Sequence, residues 1–409
     1  MTSLAISPRS HAEPAWKDGL IAFVVGTLVY AMSCWIVAPG NEAHGFGIQW
    51  QMMSEAPQNL PGQLPHRLLA PVLAWASGLG GPHYLGFVRA LSVLLLGTVF
   101  FFCRRRGGSY LDSLLVTLAV AVTAPIQMYK EHWVGYPDAL CYALFFWMLL
   151  AAKRPGIFWL LFFVNLLNHE LAAFLLPWLW FVRRQADGGV RADVIGAGVT
   201  LSVYAAFYLW VKAHALQQLY NADYFLAHPL FPGGTVVVWA LALVHCVTAF
   251  GPILAVLAWH QHTRTSGRER WHLWLVLVGV VVIFCIAFDW ARHSNLLVLP
   301  LVIASLRFLQ AGHRLAYAAL LAFGVGLMLW IPPWAPVSWP THEVVVPALG
   351  CGVVVKLPND GGFGFGPVSA ALNGWLPQVW PMLAAIAAIA AAIWLTGAAL
   401  AWRQRARTA

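Results

Sequence analysis

Long apolar runs separated by short polar breaks dominate this chain. They lie at roughly 20–38, 84–103, 111–127, 137–152, 193–212, 235–259, 272–288, 294–309, 315–332 and 379–402. A helix of about 20 apolar residues crosses the hydrocarbon core, so the pattern predicts about ten spanning helices. The runs are continuous rather than alternating, unlike the strands of a membrane β-barrel. Two further apolar segments read differently. Residues 66–80 are too few to span comfortably and open on His66-Arg67, and 157–182 is interrupted by Asn168-His169-Glu170.

The cations decide how these segments sit. Lys and Arg collect on the cytoplasmic side of a membrane protein. With the N-terminus inside, most of the 24 Lys and Arg fall on inner loops. Only Arg67, Arg89, Lys130, Lys212, Arg292 and Lys356 remain outside or within a helix. A spanning 66–80 would carry the Arg104-Arg105-Arg106 cluster outside, so 66–80 reads as a re-entrant or interfacial helix. Segment 157–182 has inner cations at both ends (Lys153, Arg154, Arg183, Arg184). It therefore enters and returns as a pair of short helices with Asn168-His169-Glu170 at the outer turn. Irregular backbone at membrane depth needs protein or a water-filled cavity around it. The expected organisation is a cytoplasmic tail over 1–19, a single membrane domain over 20–402 and a cytoplasmic tail over 403–409. The long outer loops are 39–65 and 333–378. No cleavage site follows the first run, which reads as a retained anchor in a bacterial inner membrane. No internal repeat stands out.

Composition narrows the class. The chain is 60% hydrophobic and 10% charged, whereas soluble domains are about 25% charged. That excludes an ordinary soluble enzyme and a disordered protein. The net charge of +9 comes from scattered cations, not from a face that tracks nucleic-acid phosphates. The lipid bilayer is the partner the sequence requires. The 6 cysteines show neither paired nor metal-like spacing and read as small apolar fillers. Walker, GxSxG, CxxC and HExxH patterns are absent, and the glycines of 361–366 read as a flexible outer loop.

Sorting by side leaves a mixed outer set of acids, histidines and a few cations. Glu42 and His44 follow the first helix. Arg67 opens the short helix, where it could snorkel to headgroups or bind phosphate through its fork. Lys130, Glu131 and His132 read as a solvated turn. Asp138 starts a spanning helix, where a carboxylate suits the positive end of the dipole or lines a site. His169 and Glu170 break an apolar run, where no cap is needed, and so suggest a cavity-lining acid or a buried hydrogen-bond hub. Asp289 and Arg292, three apart before His293, can pair on one helical face. They form either a local anchor or the acid and cation of a polar cavity. His44, His169 and His293 with these acids could hold a divalent cation, though no spacing demands one and no cofactor is assigned.

The order of these features resembles bacterial polytopic membrane glycosyltransferases of the GT-C type. It runs from Arg67-Leu68-Leu69-Ala70-Pro71 through the Asp138-led helix and the His169-Glu170 break with Pro177, to Asp289, Arg292 and Pro300. The resemblance covers about residues 20–310 through short, degenerate motifs. It implies an all-α, GT-C-like helical bundle. It also implies transfer of a sugar from a polyprenyl-phosphate donor to an envelope glycan or lipid acceptor on the outer side. An acid in the first outer loop would act as general base, and cations would hold the departing phosphate. The family acid falls at Phe46, four before Trp50, and Glu42 is the nearest substitute. On this reading Glu42, Glu170 and Asp289 are catalytic; Arg67, Arg292 and His293 bind the donor phosphate; and His44, Asp138 and His169 line the cavity. Two other readings stand beside it: a transporter or flippase of a lipid-linked or amphipathic substrate, and a non-catalytic envelope-assembly protein.

Overall fold

The computed structural model describes residues 14–62, 64–131, 133–186, 189–215, 246–247, 249–263, 267–284, 290–330, 337–338, 343–348, 351–356, 384 and 387–406. Asp289, His132, the glycines of 361–366 and residues 235–245 and 248 of the expected span 235–259 lie outside the described residues. The described chain is overwhelmingly helical. The chain packs as two compact units, 1–121 with 126–220, and 122–125 with 221–409.

Eleven helices with described boundaries fall before residue 216: α1 (Ala15–Ser33), α2 (Phe46–Met53), α3 (Leu69–Ala76), α4 (Tyr84–Arg105), α5 (Tyr110–Ala121), α6 (Ala124–Glu131), α7 (Asp138–Leu150), α8 (Pro155–Asn168), α9 (Leu171–Phe174), α10 (Leu176–Gln185) and α11 (Val190–His214). Five stretches of the described chain are long and apolar enough to cross a membrane: Ala15–Ser33, Gly81–Arg105, Tyr110–Glu131, Val190–His214 and Arg292–Gln310. The sequence led us to expect about ten. Part of the difference is length, and the expected spans 235–259, 272–288 and 379–402 lie partly outside the described residues. Helix α7 has 13 residues, or about 20 Å at 1.5 Å per residue, against a hydrocarbon core of about 30 Å. The apolar helices Asp138–Leu150, Pro155–Asn168, Arg270–Ile283 and Arg314–Gly326 are all of this shorter kind.

Small residues set the closest packing in the first unit. Asp18, Ala22, Gly26, Val29 and Ser33 are the buried residues of α1, spaced three and four apart as one helical stripe. A Cβ on Gly26 would lie 2.7 Å from the Val93 carbonyl oxygen and 2.8 Å from the Gly97 nitrogen. The backbones of α1 and α4 therefore meet directly, the close approach typical of small residues in membrane helix pairs. The opposite face of α1 exposes Trp16, Leu20, Phe23 and Leu28, an apolar surface suited to lipid. Gly26→Leu should destabilise the protein by about 1–3 kcal/mol through overpacking. Gly19→Leu should leave stability unchanged, because nothing lies within 4 Å of a Cβ there. Thermal unfolding of the two detergent-solubilised variants checks this.

Two cations assigned to orientation by the sequence are structural. Arg104 is 4% exposed; its Nε lies 3.3 Å from Asp18 Oδ1, and its Nη1 donates to the Gly108 carbonyl at 2.7 Å. Arg183 Nε donates to Asp193 Oδ1 at 2.8 Å, and the Trp159 indole donates to the same oxygen at 3.2 Å. Arg183 Nη1 also donates to the Ala152 carbonyl, just past the end of α7. Helices α8 to α10 therefore turn at His169-Glu170, and the end of α10 returns to the residues just before α8. The short helix expected within 66–80 is α3.

In the second unit, helix Ala255–Thr263 packs on Val298–Gln310, with Trp259 edge-on to Phe308 at 4.9 Å. Gln404, on a helix over 387–406, accepts from the Trp259 indole at 3.1 Å. Within the expected outer loop 333–378, Val337–Ser338, Glu343–Ala348 and Cys351–Lys356 form an antiparallel three-stranded meander, with Ala348 opposite Cys351 at its turn.

Candidate functional site

The first unit gathers a polar cluster from separate parts of the chain. Arg67 precedes α3, Asp138 is the first residue of α7, and His169 and Glu170 form the break between α8 and α9. Pro155 opens α8, which ends at Asn168; His169 is then extended (φ −161°, ψ 127°) and the chain re-enters a helix at Leu171. Asn168 is 1% exposed and His169 3%, so the break lies inside the fold.

Arg67 makes a two-pronged contact with Glu170. Its Nε donates to Oε2 at 2.8 Å and its Nη2 donates to Oε1, the bidentate geometry a guanidinium favours. Arg67 is 8% exposed, so it does not reach for headgroups as the snorkelling alternative supposed. Its guanidinium carbon also sits 5.7 Å from the centre of the Trp50 ring. His66 Nε2 faces Glu170 Oε2 at 3.5 Å, and its ring meets Tyr208 edge-on at 5.2 Å.

His169 lies between the two carboxylates. Its Nδ1 accepts the Leu171 backbone N–H at 3.1 Å and lies 3.5 Å from Glu170 Oε2. An accepting Nδ1 places the proton of the neutral ring on Nε2, which faces Asp138 Oδ1 at 3.8 Å. Asp138 is 1% exposed. Residue Pro137 holds the cap position of α7 without a side-chain cap, and Tyr84 lies within electrostatic range of Asp138. The carboxylate thus sits at the positive end of α7 and also faces an imidazole.

Burial works against the charged form of Glu170. Arg67, followed by His169 and His66, outweighs it and holds the carboxyl well below its usual range. A depressed carboxyl stabilises the fold above the unfolded value of about 4.3, and that contribution disappears as pH falls through the folded value. Acidification below about pH 4.3 should therefore destabilise the wild type more steeply than Glu170→Gln. Thermal unfolding as a function of pH measures the two slopes.

Several buried polar atoms around this cluster have no hydrogen-bond partner among the described residues. They are Trp50 Nε1, His66 Nδ1, Tyr84 Oη, both amide atoms of Asn168, and Tyr204 Oη, whose ring is in electrostatic contact with Glu170. Buried polar groups are normally satisfied; comparable atoms elsewhere in the described fold include Thr98 Oγ1 and Trp133 Nε1.

The other expected site residues lie elsewhere. Glu42 and His44 are exposed, on a loop stitched to 130–136. Gly40 N donates to the Lys130 carbonyl at 2.6 Å, His44 N to the Val134 carbonyl at 2.9 Å and Phe46 N to Tyr136 Oη at 3.0 Å. Arg292 and His293 are buried in the second unit, 2% and 3% exposed, and their expected neighbour Asp289 is outside the described residues. Among the described residues no three His, Cys, Asp or Glu side chains are placed to hold a metal ion. Sequence reasoning left out Trp50, Tyr204 and Tyr208 as site residues, and counted His66 only among the outer histidines. The four-residue step from Tyr204 to Tyr208 on an apolar helix was the available signal. No family model, curated protein or solved structure matches this chain.

Proposed function

We propose that the protein is a membrane-embedded glycosyltransferase that takes a sugar from a polyprenyl-phosphate donor. The observation that carries the reading is the Asp138–His169–Glu170–Arg67 chain, with Asp138, His169 and Arg67 buried and Glu170 partly exposed, in a bundle with lipid-suited outer faces. In this reaction the acceptor oxygen bonds to the sugar's anomeric carbon as the carbon–oxygen bond to phosphate breaks. The leaving phosphate keeps the electron pair, and the acceptor proton passes to a base. Asp138, oriented by His169, is that base; Glu170 fixes Arg67, whose Nη1 retains donors for the phosphate. Glu42, the base implied by the family resemblance, sits on an exposed loop, and the geometry favours Asp138 over it. The test is turnover of a polyprenyl-phosphate sugar by purified full-length protein, with Asp138→Asn and Glu42→Gln compared. If the wild type consumes no such donor, the reading fails.

A transporter is the second reading, favoured by one observation. Transporters place polar sites where a membrane helix is broken, and His169-Glu170 is such a break. Substrate movement into sealed vesicles without chemical change would support it over the transferase.

A further inference from the structure

We propose that one end of the first unit, formed by the start of α1, the ends of α4, α7 and α10 and the start of α11, is a docking surface for anionic phospholipid headgroups. Arginine contacts tie these helix ends together. Arg104, on the last turn of α4, lies 3.3 Å from Asp18 in the first turn of α1. Arg106 Nη2 donates to the Leu149 carbonyl of α7 at 2.7 Å. Arg183, on the last turn of α10, donates to the Ala152 carbonyl and, at 2.8 Å, to Asp193 in the first turn of α11. The exposed cations beside these contacts, Arg105, Lys153, Arg154 and Arg191, therefore share one end of the bundle. Helix α1 finishes at the other end, where Ser33 accepts from Lys130 at 2.6 Å next to the exposed acid Glu131.

The acids at this end are turned inward. Asp18, Asp112 and Asp193 are buried; Asp18 faces Arg104, Asp193 accepts from Arg183, and Asp112 accepts from Ser109 Oγ at 2.7 Å. Among the described residues this end therefore exposes cations and no carboxylate. Glu13 and Asp187 lie outside the described residues, and both together would still leave the surface positive. Exposed apolar side chains follow within a turn of the cations on the same helices: Ile157 and Leu160 on α8 after Arg154, and Val190 and Val194 on α11 around Arg191. A fixed positive charge at the margin of a lipid-suited face meets its complement in an anionic headgroup. A soluble acidic partner would leave that apolar margin facing water. The long stems of Lys and Arg also let the charged heads reach the headgroup level while the stems lie along the apolar surface. This inference does not depend on the transferase reading.

Association of spin-labelled phosphatidylglycerol and spin-labelled phosphatidylcholine with the full-length protein, reconstituted in phosphatidylcholine bilayers, tests it. The anionic lipid should be preferred by about fivefold, the value of one Lys or Arg near an anionic surface, and high salt should erode the preference. The triple variant Lys153→Gln, Arg154→Gln, Arg191→Gln should bring the ratio close to one. Lys212→Gln, which neutralises an exposed cation at the far end of α11, should leave it unchanged. A wild-type ratio near one, a preference that survives in the triple variant, or an equal loss in Lys212→Gln overturns the proposal. Loss of the preference to inorganic phosphate at constant ionic strength would assign the surface to free anions and also overturns it. If the triple variant fails to fold, Arg105→Gln and Arg191→Gln decide the matter singly: each should lower the ratio, and no change in either one contradicts the assignment.

Discussion

Asp138→Asn should lower turnover of a polyprenyl-phosphate sugar by about 10²–10⁴-fold, the usual contribution of a positioned general base. The amide keeps the size of the carboxylate and can still face His169 Nε2, but it cannot take up the acceptor proton. Its burial at 1% exposure leaves little room for water to replace it. Glu42→Gln should stay within a few-fold of wild type, because Glu42 is an exposed loop residue. The reverse ranking would return the base role to the first outer loop. His169→Gln should lie between the two, since the imidazole Nε2 faces Asp138 and the flexible glutamine does not hold a donor there in the same place. Initial rates at saturating donor, with fold checked by size exclusion, give the comparison.

The largest stability effect is expected at Arg67. Removing one partner of a buried ion pair costs about 3–5 kcal/mol because the other charge is left uncompensated. The Glu170 side chain is 30% exposed, so solvent screening reduces the expected loss for Arg67→Met to about 2–3 kcal/mol. Arg67→Met with Glu170→Gln should recover much of that loss, since neither charge then remains buried without its partner. Thermal unfolding of the two single variants and the double variant closes the cycle. A double variant no better than Arg67→Met would mean that Arg67 acts mainly through its packing on Trp50.

The sequence made the break at 168–170 legible for a simple reason: three polar residues interrupt an apolar run where no cap is required. The return of α8 to α10 was equally legible, because cations flank both ends of the segment. The pairing of Arg67 with Glu170 was not, since the two lie 103 residues apart and nothing local specifies it. Lys130, which is 3% exposed, was misread because Glu131 and His132 beside it make the stretch look solvated. The burial of Lys130 is instead produced by the end of α1 and the loop at Gly40 closing over it. Helix lengths were overestimated where apolar character runs on past a helix end, as at Ala151 and Ala152 after α7. The strands Glu343–Ala348 and Cys351–Lys356 had their own signal, two valine-rich runs flanking Leu349-Gly350 in the sequence, a hairpin pattern. It was passed over because the whole segment read as an outer loop.

The central claim is that the substrate meets this protein at the break between α8 and α9. Photocrosslinking a polyprenyl-phosphate sugar analogue to the purified full-length chain, followed by peptide mapping, tests it most directly. The account predicts label on peptides containing His66-Arg67, Asp138 and Asn168-His169-Glu170, competed away by unlabelled donor. Label confined to the Arg292-His293 region, or label that the donor does not displace, would contradict it.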